Sequence, residues 1–519
     1  MGPAPPEHPA LREYLLTYLG NKRALLPFLW SGFHTAAQQI GTVERFGDLF
    51  AGSGVVGRAA RVAGLVVHSN DFEDYTKPFG DAFISPRREP SPERYTAALQ
   101  EINALTAPQH DSSRFLSRHY APRREDTPDP DRERLFYTPD NAAKLDAMLE
   151  YVHALPHRDR GLRALLLAGV LVQMSVRANT SGVMKGFHRG WGGRGGDAVS
   201  RIMAPVHLEP APAIVGPIGS TTVAPAAEAA LGQHYDLVYA DPPYNIHQYG
   251  ANYHLLTSAV RWDSYDPGPV TTGARAGIRR DHQRSDFCRR GGVAQRALED
   301  FLQALRTKAL VLSYGTQGII SAELLLELLS DSGANSVALL DREQPRFRGG
   351  KGTLSAARAG ELLFVSVTGR RQSRGDVAKL RRRLLDLTEL RALLDRHIDP
   401  WAWRTAGGNA QQHARGWTLQ WGSGRVELDR YLLARQIQEP AAIDAAVDAA
   451  TISKAQAVQL LADRGHISEA VAMLKSLKVS KYHDQLRSIA ASLLAQSVSE
   501  TQELAVRAAL ERIGTPQID

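Results

Sequence analysis

Cysteine is nearly missing from this chain: Cys288 is the single one in 519 residues. An internal disulfide framework is therefore excluded, as is any metal site built on a cysteine cluster, and no other metal site is read from the sequence. Long hydrophobic runs are also missing. No apolar stretch nears the roughly 20 residues that cross a bilayer, and the opening Met-Gly-Pro-Ala-Pro-Pro-Glu-His lacks the order of a signal peptide. A cytoplasmic protein is expected. Neither sign of charge dominates, since 62 Lys and Arg face 55 Asp and Glu for a net +7. With 43% apolar and 23% charged residues the composition is that of an ordinary globular protein, and the length suits two or three domains with a sizeable core.

The modest positive excess is concentrated. Residues 271–290 carry Arg275, Arg279, Arg280, Arg284, Arg289 and Arg290 against Asp281 and Asp286. Residues 369–384 carry Arg370, Arg371, Arg374, Lys379, Arg381, Arg382 and Arg383 against Asp376. Such runs suit a polyanion, because each neutralised phosphate releases counterions; a solvated helix face or linker is the plainer reading, above all for 369–384.

Apolar periodicity organises the chain. Residues 11–30 read as a lead-in and an amphipathic helix bearing Leu25, Leu26, Phe28 and Leu29; strands at 43–50 and 64–71 flank a helix from Val55 to Ala63, which makes a βαβ unit. From Ser85 to about Pro130 the chain turns polar and proline-rich, as an insertion would. Thr138-Pro139-Asp140-Asn141 opens a capped helix and a second helix spans 160–176. The glycine-rich stretch from Arg177 to Gly196 is a loop. Strands return at 235–240, 309–314 and 362–367, with a helix at 321–330. Alternating strands and helices predict an α/β fold, a mostly parallel sheet covered on both faces. Beyond 370 the pattern becomes a charged helix (376–397), a Trp- and Gly-rich stretch (400–425) and an Ala-rich helical segment (440–512) containing one hairpin that turns at Gly465. One hairpin is not a repeat array.

Two constellations carry chemistry. Asp241-Pro242-Pro243-Tyr244 leaves the apolar run Tyr235–Ala240. The exocyclic amine of a nucleobase is a poor nucleophile, its lone pair being delocalised into the ring. A carboxylate and an inward carbonyl, that of Pro242, can accept both amine hydrogens and favour the reactive pyramidal form. Prolines have no N–H to donate, so such a turn presents acceptors, and Tyr244 can stack on the base. The plainer reading is a strand ending in a Pro-Pro turn. The second constellation is Asp48-Leu49-Phe50-Ala51-Gly52-Ser53-Gly54, where glycines allow close backbone approach at a helix start. Asp71 ends the next strand, where a carboxylate can bind ribose hydroxyls or cap a helix. No Lys with Ser or Thr forms a phosphate cradle there, so a nucleoside without polyphosphate fits better. Upstream, Tyr18-Leu19-Gly20-Asn21-Lys22-Arg23 offers an aromatic ring and a lysine that could meet a ligand carboxylate.

In this order, Tyr18 to Arg23, Asp48 to Gly54, Asn70-Asp71 and Asp241 to Tyr244 resemble the motifs of the Dam-like D12 class of adenine-N6 DNA methyltransferases. Further matching pieces are Phe136-Tyr-Thr-Pro-Asp-Asn, Asn179-Thr-Ser-Gly, Gln248-Tyr249, Asn252-Tyr253-His254, Ser285-Asp-Phe-Cys288 and Ser313-Tyr314; the resemblance covers roughly 14–367. It implies a Rossmann-like methyltransferase sheet, S-adenosyl-L-methionine as methyl donor and double-stranded DNA as substrate. It further implies cofactor contacts from Tyr18, Lys22, Asp48, Phe50, Gly52, Gly54 and Asp71, and an adenine held by Asp241, Pro242, Pro243 and Tyr244. Arg177, Lys185, Arg189, Arg194, Arg279 and Arg280 are the expected DNA contacts. The loop 185–196 is longer and more basic than the family pattern, which bears on target recognition and not on chemistry.

The implied organisation is a catalytic domain of residues 11–84 and 201–370, a target-recognition insertion of 85–200 and a mostly α-helical extension of 371–519, which could bind a protein partner. No nuclease motif is evident in that extension. Cys288 lies apart from the cofactor motifs and from Asp241-Pro242-Pro243-Tyr244, so cytosine-C5 chemistry, which needs a cysteine nucleophile, does not suit the chain. Methylation of RNA adenine-N6 or of cytosine N4 in DNA would use the same amine chemistry, and a non-catalytic nucleic-acid-binding module on the same fold is the third reading.

Overall fold

The protein is described from a computed structural model, which covers residues 2–86, 90–106, 114–193, 196, 198–271, 274–331, 334–345 and 358–395, and beyond these 409–413, 416–422, 424–429, 457–458, 461, 467–475 and 507. Arg194, the hairpin turn at Gly465 and most of the segment 440–512 lie outside the described residues.

Seven strands form one sheet: β1 (Arg45–Asp48), β2 (Val66–Asp71), β3 (Ser220–Val223), β4 (Tyr235–Ala240), β5 (Thr307–Gly315), β6 (Ser336–Pro345) and β7 (Arg358–Val367), in the order β3-β2-β1-β4-β5-β7-β6. The pairs β1–β2, β1–β4, β2–β3 and β4–β5 are parallel, and β7 runs antiparallel to β5. In β4 only Asp236 escapes burial, so residues on both faces are covered, as in a sheet with helices on either side. The helices α1 (Leu26–Ile40) and α2 (Val55–Val62) share a core with one face. There Phe33 of α1 meets Phe46 of β1 and Tyr239 of β4 edge to face, at 5.4 and 5.6 Å between centroids. β3 and β6 were not predicted from sequence. β3 is a four-residue edge strand, Ser-Thr-Thr-Val, too short and polar for a periodic signal.

From β1 the sheet grows toward β2 and β3 on one side and toward β4 and β5 on the other. The reversal falls between β1 and β4, whose carboxyl ends therefore border a crevice; open α/β sheets bind ligands at such a switch point.

The helices α3 (Lys77–Phe83), α4 (Pro92–Ala104), α5 (Phe115–His119), α6 (Pro139–Ala154) and α7 (Arg160–Arg177) follow β2. α6 starts where the sequence put a cap: Thr138 Oγ1 accepts from the Asn141 amide at 3.2 Å, with Pro139 and Asp140 in the first turn. These helices do not build a core of their own. Leu116, Met148, Leu149 and Leu167 are buried in one cluster with Tyr75, Phe79, Phe83, Leu255 and Leu256. Met1–Arg342 and Glu361–Val377 accordingly form one compact unit.

Glu343–Gly360 and Ala378–Asp519 belong to a second unit. Its described residues include a three-stranded antiparallel meander, Asn409–His413, Gly416–Trp421 and Gly424–Asp429, and a helix at Ile467–Lys475. The meander lies in the Trp- and Gly-rich stretch of an extension expected to be mostly helical.

Candidate active site

Between β1 and α2 the chain turns through Leu49 to Gly54. Gly52 and Gly54 have φ of 53° and 74°, a region costly for any residue with a Cβ. A Cβ on Gly52 would also come within 3.2 Å of the Tyr18 ring. Asp48 sits fully buried beneath the turn, where its Oδ2 accepts from the Gly57 amide at 2.8 Å and its Oδ1 has no partner. Burial pushes this carboxyl up to about 7, with the Gly57 hydrogen bond opposing. Asp48 and Gly54 were expected at the cofactor, yet neither lines the cavity described below. Side chains alternate along a strand, and that of Asp48 falls on the face covered by α2; the pair shapes the turn.

Asp71 ends β2 and faces the cavity. Its Oδ2 accepts from the Gly52 amide at 2.7 Å and its Oδ1 from the Glu73 amide at 2.9 Å. A carboxylate has about four acceptor positions, so capacity remains for a ligand hydroxyl. Burial raises Asp71 above the ordinary carboxylate range against three backbone hydrogen bonds.

The crevice at the switch point holds a cavity of about 570 Å³, within the range of small-molecule sites. One wall carries Tyr18, Phe50, Gly52 and Asp71, and the other Asp241, Pro242, Pro243 and Tyr244. Tyr18 stacks on Tyr249 and Tyr253 at 5.3 and 5.0 Å, while Phe50 meets Phe287 edge to face at 5.2 Å. Tyr249, Phe287, Phe72 and Glu73 also line it and were not assigned to the site from sequence. Tyr249 and Phe287 stood in quoted motifs without a role. Burial, helped by Asp71 and Asp74, pushes Glu73 up to about 8, so at neutral pH it is a neutral acid able to donate as well as accept.

β4 delivers Asp241 to the cavity wall. Its Oδ2 lies 2.6 Å from Lys22 Nζ, and its Oδ1 is buried with no hydrogen-bond partner. Burial lifts the Asp241 carboxyl above its usual range while the Lys22 ammonium pulls it back. Lys22, 7% exposed, lies 3.8 Å from Glu361 Oε1, and Ser313 Oγ donates to that same oxygen. Lys22 thus lines the cavity as expected, but its ammonium is committed to Asp241 instead of standing free for a ligand carboxylate. Tyr244 lies edge-on to Tyr314 at 5.7 Å, with Lys22 Nζ 5.9 Å from its ring centre.

The basic residues divide. Lys185, Arg189 and Arg280 are exposed, and Arg189 pairs with Asp131 through two bonds of 2.9 and 2.7 Å. Arg177 is half-buried and donates to the Arg201 carbonyl at 2.9 Å. Arg279 corrects an expectation. It is 2% exposed and gripped by Asp263 at 2.6 and 2.7 Å and by Asp281 at 3.0 and 2.8 Å, so its charge serves the fold. Arg284, Arg289 and Arg296 instead stand exposed around the cavity. The first two lay in the basic run already noted, and Arg296 had no signal. Among the described residues no helix is long and apolar enough to cross a membrane.

Comparison with known proteins agrees with this geometry. Residues 18–151 and 221–267 match the D12 class N6 adenine-specific DNA methyltransferase family. The chain is 28% identical over 340 residues to the type II methyltransferase M.NlaIII of Neisseria lactamica, covering 65% of this chain and 93% of that protein. It is 26% identical over 341 residues to M.CviAII of Paramecium bursaria Chlorella virus 1, covering 64% and 92%. The modification methylase LlaI of Lactococcus lactis subsp. lactis is 26% identical over 325 residues, 60% of this chain and 48% of that one. A nucleoside-sized cavity at the switch point, a carboxylate with an open acceptor and these matches agree: the chain is similar to the D12 class N6 adenine-specific DNA methyltransferases and methylates adenine in DNA at specific sites.

Proposed function

We propose that the cavity binds S-adenosyl-L-methionine and that Asp241 clamps the N6 amine of an adenine flipped out of double-stranded DNA. The residues fit that donor. Asp71 has acceptor capacity left for ribose hydroxyls, Gly52 opens the floor to close approach, and Tyr18 and Phe50 provide flat apolar walls. Asp71 and Asp241 suit a ligand whose sulfonium is positive. When bound, the donor supplies an activated methyl group: its C–S bond breaks with the pair retained by sulfur as the N6 lone pair forms the new C–N bond, after which N6 releases one proton.

The observation that carries the reading is the open Oδ1 of Asp241. Lys22 occupies Oδ2 and leaves Oδ1 buried, without a partner, at the wall of the cavity. An amine hydrogen placed there is accepted by a fixed carboxylate, the Pro242 carbonyl takes the second, and Tyr244 stacks on the ring. Positioning then accounts for most of the catalysis, because the leaving group is already activated. Extruding the base costs a few kcal/mol. Lys185, Arg189 and Arg280, with Arg284, Arg289 and Arg296 around the cavity, are placed to offset this through phosphate contacts, and residues 85–200 would recognise the target. The relatives are type II methyltransferases and a modification methylase. By that likeness the chain acts in the cytoplasm, beside a restriction or phage-defence system.

Asp241→Ala tests the reading. Methyl transfer to DNA is expected to vanish while calorimetry still detects S-adenosylmethionine binding close to parental affinity. Transfer at near the parental rate would refute the clamp.

A further inference from the structure

We propose that Glu361 is a positioning residue of this active site, holding Lys22 and leaving one negative charge in excess where the target amine becomes cationic. This rests on the reading of Asp241 as the amine clamp. The topology accounts for how Glu361 gets there. β7 is antiparallel to β5, with Glu361 opposite Gly315, so β7 begins at the edge where β5 ends. The parallel strands deliver Asp71 and Asp241 by their carboxyl ends, whereas Glu361 comes from the beginning of a strand running the other way.

Three buried charges meet there: Lys22 lies 2.6 Å from Asp241 and 3.8 Å from Glu361, with side chains 8%, 16% and 6% exposed. One carboxylate would suffice to neutralise Lys22. A second buried carboxylate costs several kcal/mol of desolvation, a cost that stability alone does not explain. Ser313, opposite Leu363 on the neighbouring strand, donates its hydroxyl to Glu361 and fixes it facing Lys22. Glu361 also acts on Asp241 directly, as one of the charges that raise its carboxyl.

The chemistry uses that surplus. During transfer a unit of positive charge arrives on N6, which was neutral. Lys22 and Asp241 alone form a neutral pair and offer the amine a hydrogen-bond acceptor with little net field. Adding Glu361 makes the trio net negative and anchors Lys22 from behind, so that Oδ2 stays occupied and Oδ1 stays turned to the base. Fixed charge aimed at where charge develops lowers the barrier without requiring reorganisation.

Glu361→Gln keeps the shape and removes the charge. The expected result is a kcat lower by roughly tenfold or more, one unit of pKa in differential charge stabilisation being a factor of ten. The dissociation constants for S-adenosylmethionine and DNA, read by calorimetry and fluorescence anisotropy, should stay within about twofold, and Tm should not fall, since a costly buried charge is gone. Glu361→Asp, which retains the charge, should recover part of the lost kcat. A parental kcat in folded Glu361→Gln overturns the proposal. If that variant does not fold, Ser313→Ala puts the same question without deleting a charge: kcat should drop several-fold at unchanged affinities, and a parental kcat overturns it again. Asp241→Ala, run in parallel, separates the two readings. An active Asp241→Ala refutes the clamp, whereas a dead Asp241→Ala beside a fully active Glu361→Gln refutes only the role of Glu361.

Discussion

Replacing Lys22 by Met tests the buried charge balance. The substitution keeps an unbranched stem and deletes the ammonium, leaving Asp241 Oδ2 without its partner at 2.6 Å and Glu361 without the cation at 3.8 Å. Removing one partner of a buried pair costs about 3–5 kcal/mol, which at about 2 °C per kcal/mol lowers Tm by roughly 6–10 °C near pH 8. The variant can relieve part of that cost by taking up a proton. Burial already raises Asp241 above its usual range against the pull of Lys22; without Lys22 the carboxyl rises further. A carboxyl whose folded pKa exceeds its unfolded value of about 3.9 holds more protons when folded, so stability is lost as pH rises from about 4 through the folded pKa. The deficit in Tm relative to the parent should therefore be largest at alkaline pH and shrink on acidification toward pH 4–5. Thermal melts of both proteins across that range, with methyl transfer measured alongside, supply the readings. A protonated Asp241 no longer offers a free carboxylate to the amine, so activity should be lost even where stability recovers. A Tm within about 1 °C of the parent near pH 8, or a deficit that does not change with pH, would refute the reasoning.

Asp48 predicts a second pH signature. With its carboxyl raised to about 7 by burial, the parent should lose stability relative to Asp48→Asn as pH rises from about 4 to about 7, the span between unfolded and folded values; parallel Tm profiles check it. The two neighbouring arginines should separate by phenotype. Arg280→Ala is expected to reduce the slope of log affinity for DNA against log salt by about one, with Tm unchanged. Arg279→Ala should lower Tm, because it strips two carboxylates of a buried partner, and should leave that slope alone.

How much of this was legible in the sequence depended on locality. β4 matched its prediction at both ends because Tyr-Asp-Leu-Val-Tyr-Ala is an unbroken buried run with turn residues directly after it. The cap of α6 was equally readable, since Thr138, Pro139 and Asp140 act on one another within a single turn. β3 and β6 had no such signature, and the insertion could not be seen to share its core with Tyr75, Phe79 and Leu255, because burial across that distance in sequence leaves no local pattern. Arg279 failed for the same reason. A basic run gives the charge of each residue, whereas Asp263, sixteen positions away, decides whether that charge faces DNA or the interior.

The active site shows the same division inside a single cluster of charges. Asp241 was readable because its chemistry is written in its neighbours, two prolines and a tyrosine at a strand end. Lys22 was readable as a participant but not in its role, since its partner is 219 positions further on, a difference of 241 and 22. Glu361 had no motif at all. Its place depends on β7 entering the sheet in the opposite direction from its neighbour, a fact of topology that only pairing reveals. Motifs at the ends of the parallel strands thus record most of the groups placed in the cavity wall, Asp48 and Gly54 excepted. The charge that sets their field came from the strand that breaks the parallel rule, and for that reason Glu361→Gln carries more information than another substitution within the motif.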